Sequence, residues 1–130
     1  MAAGKYSFTI EQGSTVDFEI VYKDSNGNPI NLTGYQARMQ LRPGPGSDVL
    51  YISLSSSLNA DGTGLNLSGS GGLKPPTSGT IGVYISAVSS SQLSFDLVSY
   101  DLELASSNGT VTRLLEGKVK LSQEITEGLY

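Results

Sequence analysis

Apolar and polar side chains alternate along most of this chain, and the alternation predicts short β-strands joined by turns. From Thr15 to Tyr22, the apolar Val16, Phe18 and Ile20 fall on one face and the intervening residues on the other. A period of two residues is typical of a strand that is buried on one side. The same pattern predicts strands at residues 5–10, 15–22, 37–42, 49–54, 65–67, 80–85, 100–104 and 111–119. A last strand at residues 118–125 is either separate or continuous with the one before it.

Turn-forming residues separate these segments at intervals that favour a β-sandwich. The closing hairpin is the clearest case, because Tyr100–Leu104 and Val111–Val119 alternate on both sides of the turn Ser106–Gly109. Turns about 8–12 residues apart are typical of a sandwich or a small barrel. We therefore predict an all-β, antiparallel sandwich of seven to eight strands, folded as one domain over residues 1–130.

Two segments interrupt the strand pattern. Residues 68–78 are rich in Gly, Ser and Pro, and we predict a loop there. Residues 86–93 fit one helical turn, with the hydroxyls of Ser89, Ser90 and Ser91 as candidate N-caps. We expect the chain termini to be extended.

The spacing of Asp96, Tyr100 and Leu102 is that of a tyrosine corner in an immunoglobulin-type domain. In such domains a Tyr precedes a buried Cys by two residues, and Leu102 stands at the Cys position here. The Trp and Cys hallmarks are absent, so chance alternation in a β protein explains the spacing equally well.

The composition excludes several kinds of chemistry. The chain has 130 residues with no Cys and no His, so disulfides, Cys/His zinc sites and Ser-His or Cys-His catalysis are excluded. The net charge is −4, and the eight Lys and Arg residues form no basic stripe, so we expect no nucleic-acid partner. No apolar run approaches the ~20 residues that span a bilayer, and we expect neither a signal segment nor a membrane partner.

Oxygen-rich turns and carboxylates are the remaining candidates for a metal or an active site. Residues 24–28 lack the Gly and Glu that a calcium loop needs further on, and residues 59–64 offer one carboxylate, so we predict plain turns. We expect no metal, no cofactor and no enzymatic activity. Alternation places four carboxylates on the outer faces of strands: Asp17, Glu19, Asp101 and Glu103.

The three arginines are the side chains best suited to contact a partner. Arg38 and Arg42 share one face of a predicted strand. They either pair with Asp17 or Glu19 across a ladder or anchor a partner chain. The candidate partner contacts are Arg38, Arg42, Arg113 and Tyr130.

Two blocks of the chain carry a family resemblance. One comprises residues 10–13 and 26–42, and the other comprises residues 100–104, 108–109, 111–119 and 122–126. Together they resemble small virion proteins of tailed bacteriophages, and the resemblance thins between residues 44 and 78. Members of that family are immunoglobulin-like β-sandwich proteins without catalytic residues, and similar domains open some baseplate proteins.

The resemblance implies an immunoglobulin-like sandwich that serves as a structural part of the particle. We expect a tail, baseplate or neck component, made in the bacterial host cytoplasm, that contacts other virion proteins and copies of itself as a symmetric oligomer. One alternative is a capsid decoration protein. Another is a host-surface carbohydrate-binding module, for which the candidate aromatic platform is Tyr51, Tyr84 or Tyr130.

Overall fold

The computed structural model describes residues 4–126, which form two facing β-sheets. Nine strands are found in this part of the chain, together with one short helix and two 3-10 turns. The elements in chain order are β1 Gly4–Lys5, β2 Phe8–Glu11, β3 Val16–Val21, β4 Gln36–Arg42, β5 Ile52–Ser55, β6 Gly64–Asn66, the turns Ser70–Gly72 and Pro76–Ser78, β7 Thr80–Ile85, α1 Ala87–Ser91, β8 Leu97–Ala105 and β9 Val111–Ser122.

The larger sheet has the strand order β1–β9–β8–β4–β5, with β2 following β1 along β9, and the smaller sheet has the order β3–β7–β6. The prediction of an all-β sandwich is confirmed. The prediction of purely antiparallel pairing is wrong at one place. β1 and β2 run parallel to β9, while the other strand pairs are antiparallel. Alternation specifies which face of a strand is buried, but not the direction of its neighbour.

The core lies between the sheets and is built from alternate residues of each strand. On β8, the inward Val98, Tyr100, Leu102 and Leu104 are buried, and they face apolar side chains from β3, β6 and β7. Fully burying one such side chain stabilises the fold by about 1.5–3 kcal/mol. No helix among residues 4–126 is long and apolar enough to cross a membrane.

The first predicted strand is split into β1 and β2, which brings the count to nine. Tyr6 and Ser7 form the break, and the backbone of Tyr6 passes directly over Gly117 of β9. The Tyr6 N–H donates to the Glu116 carbonyl at 3.1 Å. The Lys118 N–H donates to the Ser7 hydroxyl at 3.1 Å, which replaces a ladder bond that the break removes.

Tyr100 is not part of a tyrosine corner, in which the hydroxyl bonds to backbone a few residues upstream. Its hydroxyl donates instead to the carbonyl of Tyr6 at 2.5 Å, on a segment 94 residues away. Leu102 is fully buried, as expected of a core position. The Tyr100 side chain therefore attaches the strand break to the middle of the larger sheet.

Helix α1 falls within the predicted segment, but the prediction of its N-cap is wrong. The cap is Ser86, whose hydroxyl accepts from the Ser89 N–H at 3.1 Å. Ser90 is instead buried, and its hydroxyl donates to the Ser14 carbonyl at 2.7 Å. Residues 89–91 lie inside the helix, where their hydroxyls cannot reach its free N–H groups.

The predicted loop 68–78 contains both 3-10 turns and packs over the outer face of the smaller sheet. Glu19 holds it there, since its carboxylate accepts from the Ser70 N–H at 2.9 Å and from the Lys74 ammonium at 2.8 Å. The loop can approach because β7 has Gly82 at this point, and a Cβ on Gly82 would lie 2.7 Å from the Ser70 nitrogen.

Candidate functional site

The outer face of the larger sheet, meaning the side away from the core, carries five of the eight Lys and Arg residues of the chain. Strand register sets its side chains in three rows across the sheet. Row one contains Arg38, Glu103 and Arg113. Row two contains Gln40, Asp101, Glu116 and Lys5. Row three contains Arg42, Ser99 and Lys118.

The three rows line an open concavity of about 760 Å³. One rim is the segment from Gly44 to Gly46, which follows β4. No heavy atom lies within 4 Å of where a Cβ would stand on either glycine, so the rim is low and the rows are accessible from outside.

All three carboxylates of rows one and two are paired. Glu103 contacts the Arg38 guanidinium at 2.8 Å, and Asp101 lies 3.4 Å from Arg113. Glu116 lies 3.8 Å from Arg113 and also pairs with Lys5. The groups are partly exposed, so each pair is worth about 0–1 kcal/mol, and their main effect is to hold the side chains in place.

The surroundings move the pKa values of two of these carboxyls in opposite directions. Partial burial, reinforced by the neighbouring charge of Glu103, raises the pKa of Asp101 above its usual range. The hydrogen bond from Lys5 holds the pKa of Glu116 below its usual range. Both shifts follow ordinary rules, because burial disfavours a charge and an opposite charge favours it.

Row three differs because it contains two cations and no carboxylate. Arg42 donates from Nε and Nη2 to the Gln40 side-chain oxygen at 3.2 and 2.9 Å, and from Nη1 to the Ser47 carbonyl at 3.0 Å. The Lys118 ammonium donates to the Ser99 hydroxyl at 2.8 Å. Neither cation takes part in an ion pair within the described residues.

Charge is therefore segregated within the molecule. Five of the eight Lys and Arg residues of the chain line the concavity, with three of its twelve Asp and Glu residues. The concavity accordingly carries a formal charge of +2, and the other three cations and nine carboxylates carry −6. A cationic face on an acidic protein is suited to an acidic surface of a partner.

The structure brings three of the four candidate contact residues together on this face: Arg38, Arg42 and Arg113. Tyr130 lies outside the described residues. The predicted pairing with Asp17 or Glu19 is wrong, since both carboxylates lie on β3 of the other sheet and bond to residues of the loop at 68–78. Register decides the partner, and alternation alone cannot supply it.

The face is also lined by Lys5, Glu116 and Lys118. The alternation of apolar and polar residues did not identify these three as site residues. A signal was present in the Leu114-Leu115 doublet, where two apolar residues interrupt the alternation of β9. The register of β9 against β8 shifts at this doublet, which is a β-bulge.

The two described candidates for an aromatic platform, Tyr51 and Tyr84, do not lie together. The Tyr51 ring packs against Phe95 in a tilted arrangement with ring centroids 5.0 Å apart, at the margin of the core. Tyr84 lies on β7 of the smaller sheet, directly opposite Asp17 of β3. The two rings therefore belong to different sheets.

Both oxygen-rich turns use their carboxylates within the turn or to fix a neighbouring element. Asp24 accepts from the N–H groups of Asn26 and Asn28, both at 2.9 Å. Asp61 accepts from the Ser86 hydroxyl at 2.6 Å and from the Thr63 N–H at 3.0 Å, which lowers its pKa to about 2. Among residues 4–126, no group of three or more Asp and Glu side chains is arranged to hold a metal ion.

No protein-family model and no curated protein sequence matches this chain.

Proposed function

We propose that this chain is a non-enzymatic structural component of a tailed-phage virion, which joins other virion proteins in the tail, baseplate or neck. The resemblance to small virion proteins, carried by residues 10–13 and 26–42 and by residues 100–104, 108–109, 111–119 and 122–126, motivates the proposal. The observation that carries it is the charged concave face, where fixed charges of both signs cover a sheet rather than converge in a deep cleft. Such complementary charge patterns align protein partners.

The topology supports the immunoglobulin-like part of the proposal. In those domains strands A, B, E and D form one sheet, and strands C, F and G form the other, with C′ added to the second sheet in the variable type. The order β3–β7–β6 corresponds to B–E–D, and the order β9–β8–β4–β5 corresponds to G–F–C–C′. The first strand departs from the A–B–E–D arrangement, because β1 and β2 pair with β9.

The arrangement of the carboxylates supports a structural role over a catalytic one. A pair of acidic groups that cleaves a glycoside flanks the scissile bond of a substrate bound between the two carboxyl groups. Here Asp101, Glu103 and Glu116 each contact an Arg or Lys side chain on an open face. Ion pairs of this kind keep the charged side chains in position and so fix the pattern of charge that a protein partner would contact.

The test is to locate and count the chain in purified particles. Particles of the phage that encodes it are separated into heads and tails, and the chain is quantified by mass spectrometry against the major capsid and tail proteins. Few copies, found with the tail, are expected. Hundreds of copies on the head would favour the capsid decoration alternative, and absence from particles would refute the proposal.

A separate experiment with the purified chain tests the carbohydrate-binding alternative. Purified chain is applied to an array of host-surface glycans, and no binding is expected. Saturable binding to one glycan class, lost on substitution of Tyr84, would favour that alternative.

A further inference from the structure

Row three provides a cationic site with a defined geometry. Arg42, Ser99 and Lys118 are direct cross-strand neighbours on β4, β8 and β9. Adjacent strands lie ~4.8 Å apart, so the two cations start ~10 Å from each other with the serine between them. Their side chains are long enough to converge on one group above Ser99.

Both cations are preorganised without being neutralised. Three hydrogen bonds from Arg42 to Gln40 and Ser47 fix its guanidinium, and Lys118 bonds to Ser99. The acceptors are a neutral amide, a carbonyl and a hydroxyl, so the positive charges stay available to an anion. An ordered Arg and a Lys on either side of Ser99 suit an anion such as a carboxylate, which can accept charge-assisted hydrogen bonds from both.

The neighbouring rows determine which kind of anion fits. Asp101 and Glu116 of row two lie directly beside row three, and Glu103 lies one row further on. A nucleic-acid backbone carries regularly spaced charges and would meet these carboxylates as it crossed the face. An acidic protein side chain places one or two charges locally and can meet row three alone.

We propose that Arg42, Ser99 and Lys118 form a carboxylate-binding site that receives an acidic segment of a protein partner. The proposal deepens the proposed function and rests on it, because it names the chemistry by which the charged face would join a neighbouring protein. The charge segregation of the chain, +2 in the concavity and −6 elsewhere, makes a second copy of this chain one source of such a segment.

The test measures binding of the full chain to an immobilised ten-residue Glu-Ser peptide, with the Gln-Ser peptide as the neutral probe. The variant R42Q/K118Q removes both charges of row three. The matched control K23Q/K120Q makes the same change in net charge at two cations that do not line the concavity. Lys120 lies on β9, two residues from Lys118. Circular dichroism and unfolding curves establish that all variants fold.

We expect saturable binding of the Glu-Ser peptide and none of the Gln-Ser peptide. The dissociation constant should rise about tenfold in R42Q/K118Q and stay within about twofold in K23Q/K120Q. Amide NMR shifts on titration should centre on the three residues of row three. Concentration-dependent self-association that R42Q/K118Q abolishes would support the site and identify the partner as a second copy.

Three results would overturn the inference. One is equal weakening in both double variants, which would indicate non-specific charge attraction. Another is competition by inorganic phosphate at concentrations as low as those of the peptide, which would indicate a phosphate site. The third is absence of saturable binding. Presence of the chain in particles is measured separately, so a failed carboxylate site leaves the proposed virion role standing.

Discussion

Substituting Gly117 by Ala tests whether the strand break over β9 stabilises the fold. A Cβ at this position would lie 2.1 Å from the Tyr6 carbonyl oxygen and 2.8 Å from its carbon. Carbon and oxygen in contact are normally about 3.3 Å apart, so the backbone around Tyr6 must retreat by roughly 1 Å. That movement stretches the 2.5 Å hydrogen bond from the Tyr100 hydroxyl to the displaced Tyr6 carbonyl.

The expected cost combines crowding with lost hydrogen bonding. Forcing an extra methyl group into a packed site costs about 1–3 kcal/mol. Weakening the Tyr100 bond adds about 1 kcal/mol, because the hydroxyl is buried with Tyr100 and loses its acceptor. Ala offsets about 0.5–1 kcal/mol of this through its lower conformational entropy in a strand. The net effect is about 1–3.5 kcal/mol, or roughly 3–14 °C in Tm for a chain of this length.

The loss of unfolding free energy is measured by urea denaturation. Unfolding is followed by tyrosine fluorescence and far-UV circular dichroism, since the chain has no Trp. Gly44→Ala is the matched control, since no atom lies within 4 Å of its Cβ position and its φ is not left-handed, and it should stay within ±0.5 kcal/mol. Tyr100→Phe alone should cost about 1 kcal/mol, and the double variant should cost less than the sum because both changes act on one bond. Gly117→Ala as stable as Gly44→Ala would refute the reasoning.

Three further predictions follow from the packing and the pKa shifts. Burial raises the pKa of Tyr100 to about 12. The stability that its neutral hydroxyl contributes is therefore present below pH ~10 and is lost as the pH rises from ~10 to ~12. Tyr100→Phe should make the unfolding free energy less dependent on pH over that interval. The Ser86 hydrogen bond lowers the pKa of Asp61 to about 2. The stability that the ionised Asp61 contributes is therefore present above pH ~4 and is lost as the pH falls to ~2. Asp61→Asn should remove this fall in Tm at acid pH, measured by thermal melts. Gly82→Ala should push the loop at 68–78 off β7, because its Cβ would meet the Ser70 nitrogen at 2.7 Å, and amide hydrogen exchange in that loop should accelerate while exchange in β8 does not.

The parts of the fold that alternation specifies could be predicted, and the parts that depend on distant partners could not. The burial of Val98, Tyr100, Leu102 and Leu104 follows from their period of two along β8. The parallel pairing of the first strand with β9 and the role of Tyr100 in holding it do not, because both depend on where a segment 94 residues away is placed. The same holds for Glu19, whose partner Lys74 lies on a loop with no periodic signal.

The charged face shows how one residue can decide the composition of a candidate site. Arg113 and Lys118 are five residues apart on β9, and in a regular strand an odd separation puts side chains on opposite faces. Glu103 pairs with Arg113 while Leu102 pairs with Leu115, so Leu114 is the extra residue of a bulge. The bulge restores both cations, and Glu116 between them, to the outer face. Strict alternation would therefore have assigned Arg113 and Lys118 to different sides of the sheet. The concentration of charge in the concavity depends on the bulge at Leu114, where the alternation is interrupted.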